Sequence, residues 1–174
     1  YGCAILGLTL DDSGIPETAE ERVAIAEKII NTAKKLGIPS KDILIDCLVM
    51  TASAQQKQAS ETLKAVRLVK EKLKVKSVLG VSNVSFGLPN RPLLNRTMLA
   101  MALTQGLDAP IMNPGDIDMS ETVAAFRTLT AKDNNSEQYI NKFSEQAPKN
   151  NKIEQNESLP LAKKRSGGSY KVFA

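Results

Sequence analysis

Four times along this 174-residue chain a short apolar run gives way to a longer amphipathic one. That alternation constrains the fold more than any other feature. The short runs are CAILGLT (Cys3–Thr9), DILIDCLV (Asp42–Val49), SVLGVS (Ser77–Ser82) and APIMN (Ala109–Asn113). They are apolar nearly throughout instead of at every second position, the pattern of a strand buried on both faces. Their starts recur at intervals of about 32 to 39 residues, the length of one βα unit with its loops.

The longer segments have helical periodicity. The first is predicted from about Ala19 to Leu36, with Thr18 and Glu21 as a capping box, a stripe of Val23, Ala26, Ile30 and Ala33, and Gly37 as the stop. The second carries Ala59, Leu63, Val66, Val69 and Leu73 on one face. The third starts at Asn90, has Pro92 in its first turn, and is expected to bury Leu94, Met98 and Met101 before Gly106. The last is expected to open at Asp118 with Glu121 and to pack Val123, Phe126 and Leu129. Strands alternating with amphipathic helices imply an α/β fold with a parallel sheet covered by helices. An open doubly wound sheet and a (β/α)8 barrel both fit. No GxGxxG or GxxxxGK[ST] loop follows any strand, which argues against a nucleotide-binding open sheet. Four units would make half of a barrel of about 250 residues.

Aromatic residues are only 4% of the chain and Trp is absent, so the core must be aliphatic and alanine-rich. No apolar stretch is long enough to span a bilayer, and no secretory signal is visible. The chain opens at Tyr1 inside a strand-like run, and the expectation is that it is cut from something longer. Its net charge of +4 is local: residues 147–174 hold six basic and two acidic side chains, leaving 17 of each in residues 1–146. A neutral body offers no basic face for nucleic acid. The change of composition near Gln146 predicts a domain over residues 1–146 and a flexible, disordered linker over 147–174. The chain has no His, which excludes Ser-His and Cys-His catalysis within it, and His ligation of zinc. Cys3 and Cys47 lie in apolar runs and are expected to be buried, reduced thiols of a cytoplasmic protein.

Polar residues gather where the predicted strands end: Thr9, Asp11 and Asp12; Asp46; Ser82, Asn83 and Ser85; Asn113 and Asp116. In barrels that is where the chemistry sits. Asp46 stands out, because a carboxylate in an apolar strand is costly unless paired or hydrogen-bonded. It is either a structural acid satisfied by backbone or Arg, or an acceptor for ligand N–H groups. Asn83 is either a turn residue or a site residue. Arg91 at a helix N-terminus opposes the helix dipole, which asks for a reason. Asp11, Asp12 and Asp116 read as solvated loop acids or caps, and no metal site is expected.

The string GVSNVSFGLPNRPLLN, followed by GLDAPIMNP, resembles the pterin-binding domain of cobalamin-dependent methionine synthases and the related methyltetrahydrofolate:corrinoid methyltransferases. GLTLDDSGIPETAEERVAIAEKI and LIDCLVM resemble the same domain, and the likeness runs from about Cys3 to Gln146. It implies a (β/α)8 barrel of the dihydropteroate synthase type, of which this chain would be strands five to eight. It implies transfer of the N5-methyl of methyltetrahydrofolate to cob(I)alamin, with the cobalamin on a following module or a separate corrinoid protein. Asn83 would bond near N5 as the methyl leaves, Asp46 would bond the pterin ring, and Ser82 and Arg91 would line the site more loosely. The family often has Pro after the strand-six Asp, where this chain has Cys47. Further pterin-binding residues, an Asp and an Asn among them, would lie in strands one to four.

Dihydropteroate synthase itself is rejected. That family has a Lys after a Ser-Arg pair on strand seven and an Arg with His on strand eight. SNVSFG and IMNPGD stand at those places here, in a chain without His. The FGLPNR loop and a linker past the barrel favour the multimodular synthase, making methionine from homocysteine, over a stand-alone methyltransferase. A half-barrel would also be expected to lack activity alone, to expose apolar surface, or to close by pairing with a second copy.

Overall fold

The computed structural model describes residues 2–144. The expected linker over residues 147–174 and the far end of the 1–146 domain lie outside the described residues. Each predicted βα unit is present. The strands β1 (Ile5–Leu8), β2 (Ile43–Asp46), β3 (Lys76–Gly80) and β4 (Ala109–Ile111) form one parallel sheet in the order β1-β2-β3-β4. They are followed in turn by α1 (Ala19–Lys35), α2 (Gln58–Leu68), α3 (Arg91–Thr104) and α4 (Ile117–Leu129). A short α5 (Glu137–Phe143) returns to α4, where Lys142 Nζ reaches the Ser120 hydroxyl at 3.0 Å. Strands added in sequence order leave no topological switch point, the place where doubly wound sheets bind ligands.

The two faces of the sheet differ. Gly7 faces α1, because a Cβ built there would lie 2.8 Å from Ile29 Cγ2 and 3.3 Å from Ile45 Cδ1. Gly7 is level with Ile45 in the β1–β2 register. Side chains alternate across a strand, so Ile43, Ile45 and Leu79 enter the helix-covered core, where each is fully buried. The other face carries Leu6, Leu8, Leu44, Asp46, Val78 and Ile111. Among the described residues nothing covers its outer part: Leu6 is 48% exposed and Ile111 56%.

All four strands are shorter than their apolar runs, for local reasons. β2 stops at Asp46 because the next residues turn, with Leu48 at φ 56°. β3 stops at Gly80 because the chain winds into a tight turn over Val81–Ser85. Cys3 precedes β1 and is exposed, contrary to expectation, whereas Cys47 is buried. The α1 stripe and its capping box are as predicted. The cap of α4 is Asp116, whose side chain accepts from Met119 N–H at 3.2 Å; the expected cap, Asp118, sits inside the helix and pairs with Arg96. Met101 is exposed and faces the groove between α2 and α3, and Leu129 is 85% exposed on the last turn of α4. Periodicity reports the spacing of apolar residues, not what stands opposite them.

Candidate functional site

Parallel strands end on the same side, so the polar residues after β1, β2, β3 and β4 share one edge of the sheet. Asp46 is the last residue of β2 and is only 9% exposed. Its backbone carbonyl accepts from the Thr9 N–H at 3.1 Å and from the Thr9 hydroxyl at 3.0 Å, tying the ends of β1 and β2 together. Its carboxylate Oδ1 accepts the Leu48 N–H at 2.8 Å. An ionised carboxylate has about four acceptor positions, and among the described residues no side chain takes any of them. Neither Arg nor Lys pairs with it. Burial pushes the Asp46 pKa up, and the Leu48 hydrogen bond opposes that in part. The carboxyl group therefore stands on the uncovered face with acceptor capacity to spare.

Asn83 lies in the turn after β3 and is exposed. Its carboxamide meets no described hydrogen-bonding partner. A Cβ built on Gly80 would point at it, 3.4 Å from Nδ2. Gly80 is two residues beyond Val78, and Val78 is level with Asp46. Residues two apart share a face, so the Asn83 amide and the Asp46 carboxylate lie on the same face at the same end of the sheet. The structure thus places a carboxylate with one backbone partner and spare acceptor positions, and an amide with no described partner, on one face at one end of the sheet.

Ser82 and Arg91 hold the loop. The Ser82 carbonyl accepts from the Ser85 hydroxyl at 3.1 Å and from Arg91 Nη2 at 3.5 Å. Arg91 donates from Nε to the Ser85 hydroxyl at 3.0 Å, and its guanidinium lies 4.4 Å from the centre of the Phe86 ring. That accounts for an arginine against the helix dipole: it fastens the turn that carries Asn83. The loop is tied to the neighbouring one as well. Thr51 and Ser53 hydroxyls donate to the Phe86 carbonyl at 2.6 and 2.8 Å, and the Ala52 N–H donates to the Val84 carbonyl at 2.9 Å. Gly87, at φ 77°, packs where a Cβ would lie 3.0 Å from the Ser53 hydroxyl, so only glycine suits that crossing.

Sequence reasoning missed Arg22, which is fully buried beneath Cys47 and Leu48. A signal was present: Arg22 is on the same helical face as Ala26 and Ile30, an arginine within the apolar stripe. Cys47 is fully buried. Burial, and then the neighbouring Asp46 charge, push its thiol up to about 12, against a smaller pull from Arg22. It is not a nucleophile at neutral pH. Among the described residues no group of three or more Cys, Asp or Glu could hold a metal ion, and no helix is long and apolar enough to cross a membrane.

Comparison with known proteins adds to this geometry. A family model described as pterin binding enzyme matches residues 11–113, a span that includes Asp46, Ser82, Asn83 and Arg91. The chain is 37% identical over 125 residues to a methionine synthase of Mycobacterium leprae (strain TN), covering 67% of this chain and 10% of that protein. It is 36% identical over 125 residues to a methionine synthase of Mycobacterium tuberculosis (strain ATCC 25618 / H37Rv), with the same coverage. It is 29% identical over 142 residues to a methylcorrinoid:tetrahydrofolate methyltransferase of Eubacterium limosum, covering 80% of this chain and 52% of that protein. The chain thus spans about a tenth of the length of the two synthases and about half that of the third relative.

Proposed function

This chain belongs to the pterin-binding enzyme family, and from that premise we propose that it supplies part of the pterin site of a methyltransferase. The reaction is transfer of the N5-methyl of methyltetrahydrofolate to cob(I)alamin, in the synthesis of methionine from homocysteine. The observation that carries this reading is the placement of Asp46 and Asn83, both with free hydrogen-bonding capacity, on one face at one end of the sheet. The fold reading goes with it: the four units are strands five to eight of a (β/α)8 barrel. Sequential parallel order without a switch point supports that, as does an uncovered face bearing Leu6, Leu8 and Ile111, which a barrel would enclose.

Each residue has a task that its chemistry suits. The pterin ring presents amino and ring N–H groups in one plane, and the Asp46 carboxylate accepts from them with directional preference. Burial makes those bonds stronger than in water. Asn83 acts at N5. When the C–N5 bond breaks, its electron pair stays on nitrogen, and an amine leaves poorly unless that pair is drawn toward a proton. A carboxamide both donates and accepts, so it holds N5 in either protonation state and strengthens its bond as charge develops. Cob(I)alamin, the second substrate, is held by another module or protein and supplies the nucleophile. Ser82 and Arg91 line the site through the loop they fasten. A stand-alone methyltetrahydrofolate:corrinoid protein methyltransferase is the second reading. It is favoured by the longer stretch of this chain that aligns with the Eubacterium limosum relative.

The test is single-turnover methyl transfer from methyltetrahydrofolate to cob(I)alamin by the intact protein that carries this sequence. Asn83→Ala is expected to slow the chemical step about 100-fold, with folate affinity changed by less than about threefold. An unchanged rate would remove Asn83 from the reaction and the proposal with it.

A further inference from the structure

Among the described residues Arg22 is the largest fully buried side chain, and no carboxylate lies within ion-pair distance of it, Glu61 acting only from farther off. A buried cation without a counter-ion persists only where hydrogen bonds replace its hydration. Here every acceptor is neutral. Nε donates to the Pro16 carbonyl at 2.9 Å, and Nη2 donates to Gln58 Oε1. Nη1 contacts the Cys47 and Leu48 carbonyls, both at 3.0 Å, and the Thr62 hydroxyl at 2.9 Å. Two of those acceptors are the consecutive carbonyls that follow Asp46.

The second of them belongs to a strained residue. Leu48 stands at φ 56°, a left-handed conformation that costs a non-glycine residue about 1–2 kcal/mol. It is gripped on both sides. Its N–H bonds Asp46 Oδ1 at 2.8 Å, and its carbonyl accepts from Arg22 and lies 3.0 Å from the Thr62 hydroxyl, whose one proton it shares with the Gln58 carbonyl at 2.9 Å. If the carbonyl were released, Leu48 would relax toward the common backbone regions and its N–H would swing away from the carboxylate. Arg22 makes no contact with that carboxylate, so it acts on it through the backbone.

We propose that Arg22 is a positioning residue: its hydrogen bonds to the Cys47 and Leu48 carbonyls hold the left-handed turn that aims the Asp46 carboxylate at the pterin ring. This rests on the reading of Asp46 as the pterin acceptor. Lysine cannot replace it fully, because one ammonium on a flexible stem does not span acceptors from Pro16 to Gln58 as a planar fork does.

The experiment is a double-mutant cycle in the intact protein, reading tetrahydrofolate affinity by calorimetry and melting temperature for each variant. Asp46→Asn is expected to weaken binding tenfold or more, about the worth of a charged hydrogen bond. Arg22→Lys is expected to weaken it about five- to tenfold in the wild-type background and less than about twofold in the Asp46→Asn background. Equal losses in both backgrounds, or no loss, would mean that Arg22 serves packing alone, and would overturn the inference. Unchanged affinity in Asp46→Asn would overturn the pterin reading itself, and the inference along with it. If Arg22→Lys does not fold, Thr62→Val removes both an acceptor of Arg22 Nη1 and the hydroxyl beside the Leu48 carbonyl, and enters the cycle with the same outcomes.

Discussion

Asp46 is where the cost of the site is concentrated. Because burial raises its pKa, the folded protein holds this proton more tightly than the unfolded chain does. Stability therefore falls as pH rises from the ordinary carboxylate value through the raised one, and the penalty persists above it. Asp46→Asn keeps an oxygen for the Leu48 N–H and removes the buried charge. It should raise the melting temperature at pH 7 by about 2–4 °C per kcal/mol recovered, and thermal unfolding between pH 3 and 7 should lose that acid-side slope. A melting temperature at or below wild type throughout would show that the carboxylate is compensated in the fold. Ligand affinity runs the opposite way. Pterin N–H groups need the ionised form, so binding to wild type should be lost as pH falls through the raised pKa. The sequence exposed this residue, because a lone acid in LIDCLVM must be either satisfied within the fold or kept for a ligand. It did not reveal what satisfies the carboxylate, since the Leu48 turn and the Arg22 beneath it depend on contacts with α1 and α2.

The elements follow from local rules where neighbours agree with the pattern. The α1 stripe and cap were legible because Thr18 and Glu21 satisfy each other within one turn, and because Val23, Ala26, Ile30 and Ala33 meet the sheet. Met101 and Leu129 have the same periodicity but face a groove and open surface, and no count of apolar positions distinguishes the cases. The shift of the α4 cap from Asp118 to Asp116 is of the same kind: both acids suit an N-terminus, and the extended backbone at Asp116 decides. α1 packs closely on β1 at Gly7. Gly7→Ala would place a methyl 2.8 Å from Ile29 Cγ2, an overpacking expected to cost about 1–3 kcal/mol. Denaturant unfolding measures it; a loss below about 0.5 kcal/mol would mean that the helix shifts freely on the sheet.

Across the described residues, the repeat of strand and helix was legible because each unit pairs a short apolar run with a longer amphipathic one. The placement of Asp46 and Asn83 on one face was not legible from the pattern, since it depends on strand register and on a turn that folds the amide back over Gly80. The four-stranded sheet offers one covered face and one bearing a polar pair at its edge among exposed leucines. This pair is proposed to recognise the pterin portion of a folate. The direct measurement is calorimetric titration of the intact protein with methyltetrahydrofolate and with p-aminobenzoylglutamate, which lacks the pterin, in wild type and Asp46→Ala. The account predicts saturable binding of methyltetrahydrofolate only, weakened at least about tenfold by Asp46→Ala. Equal binding of the two ligands, or an affinity untouched by the substitution, would contradict it.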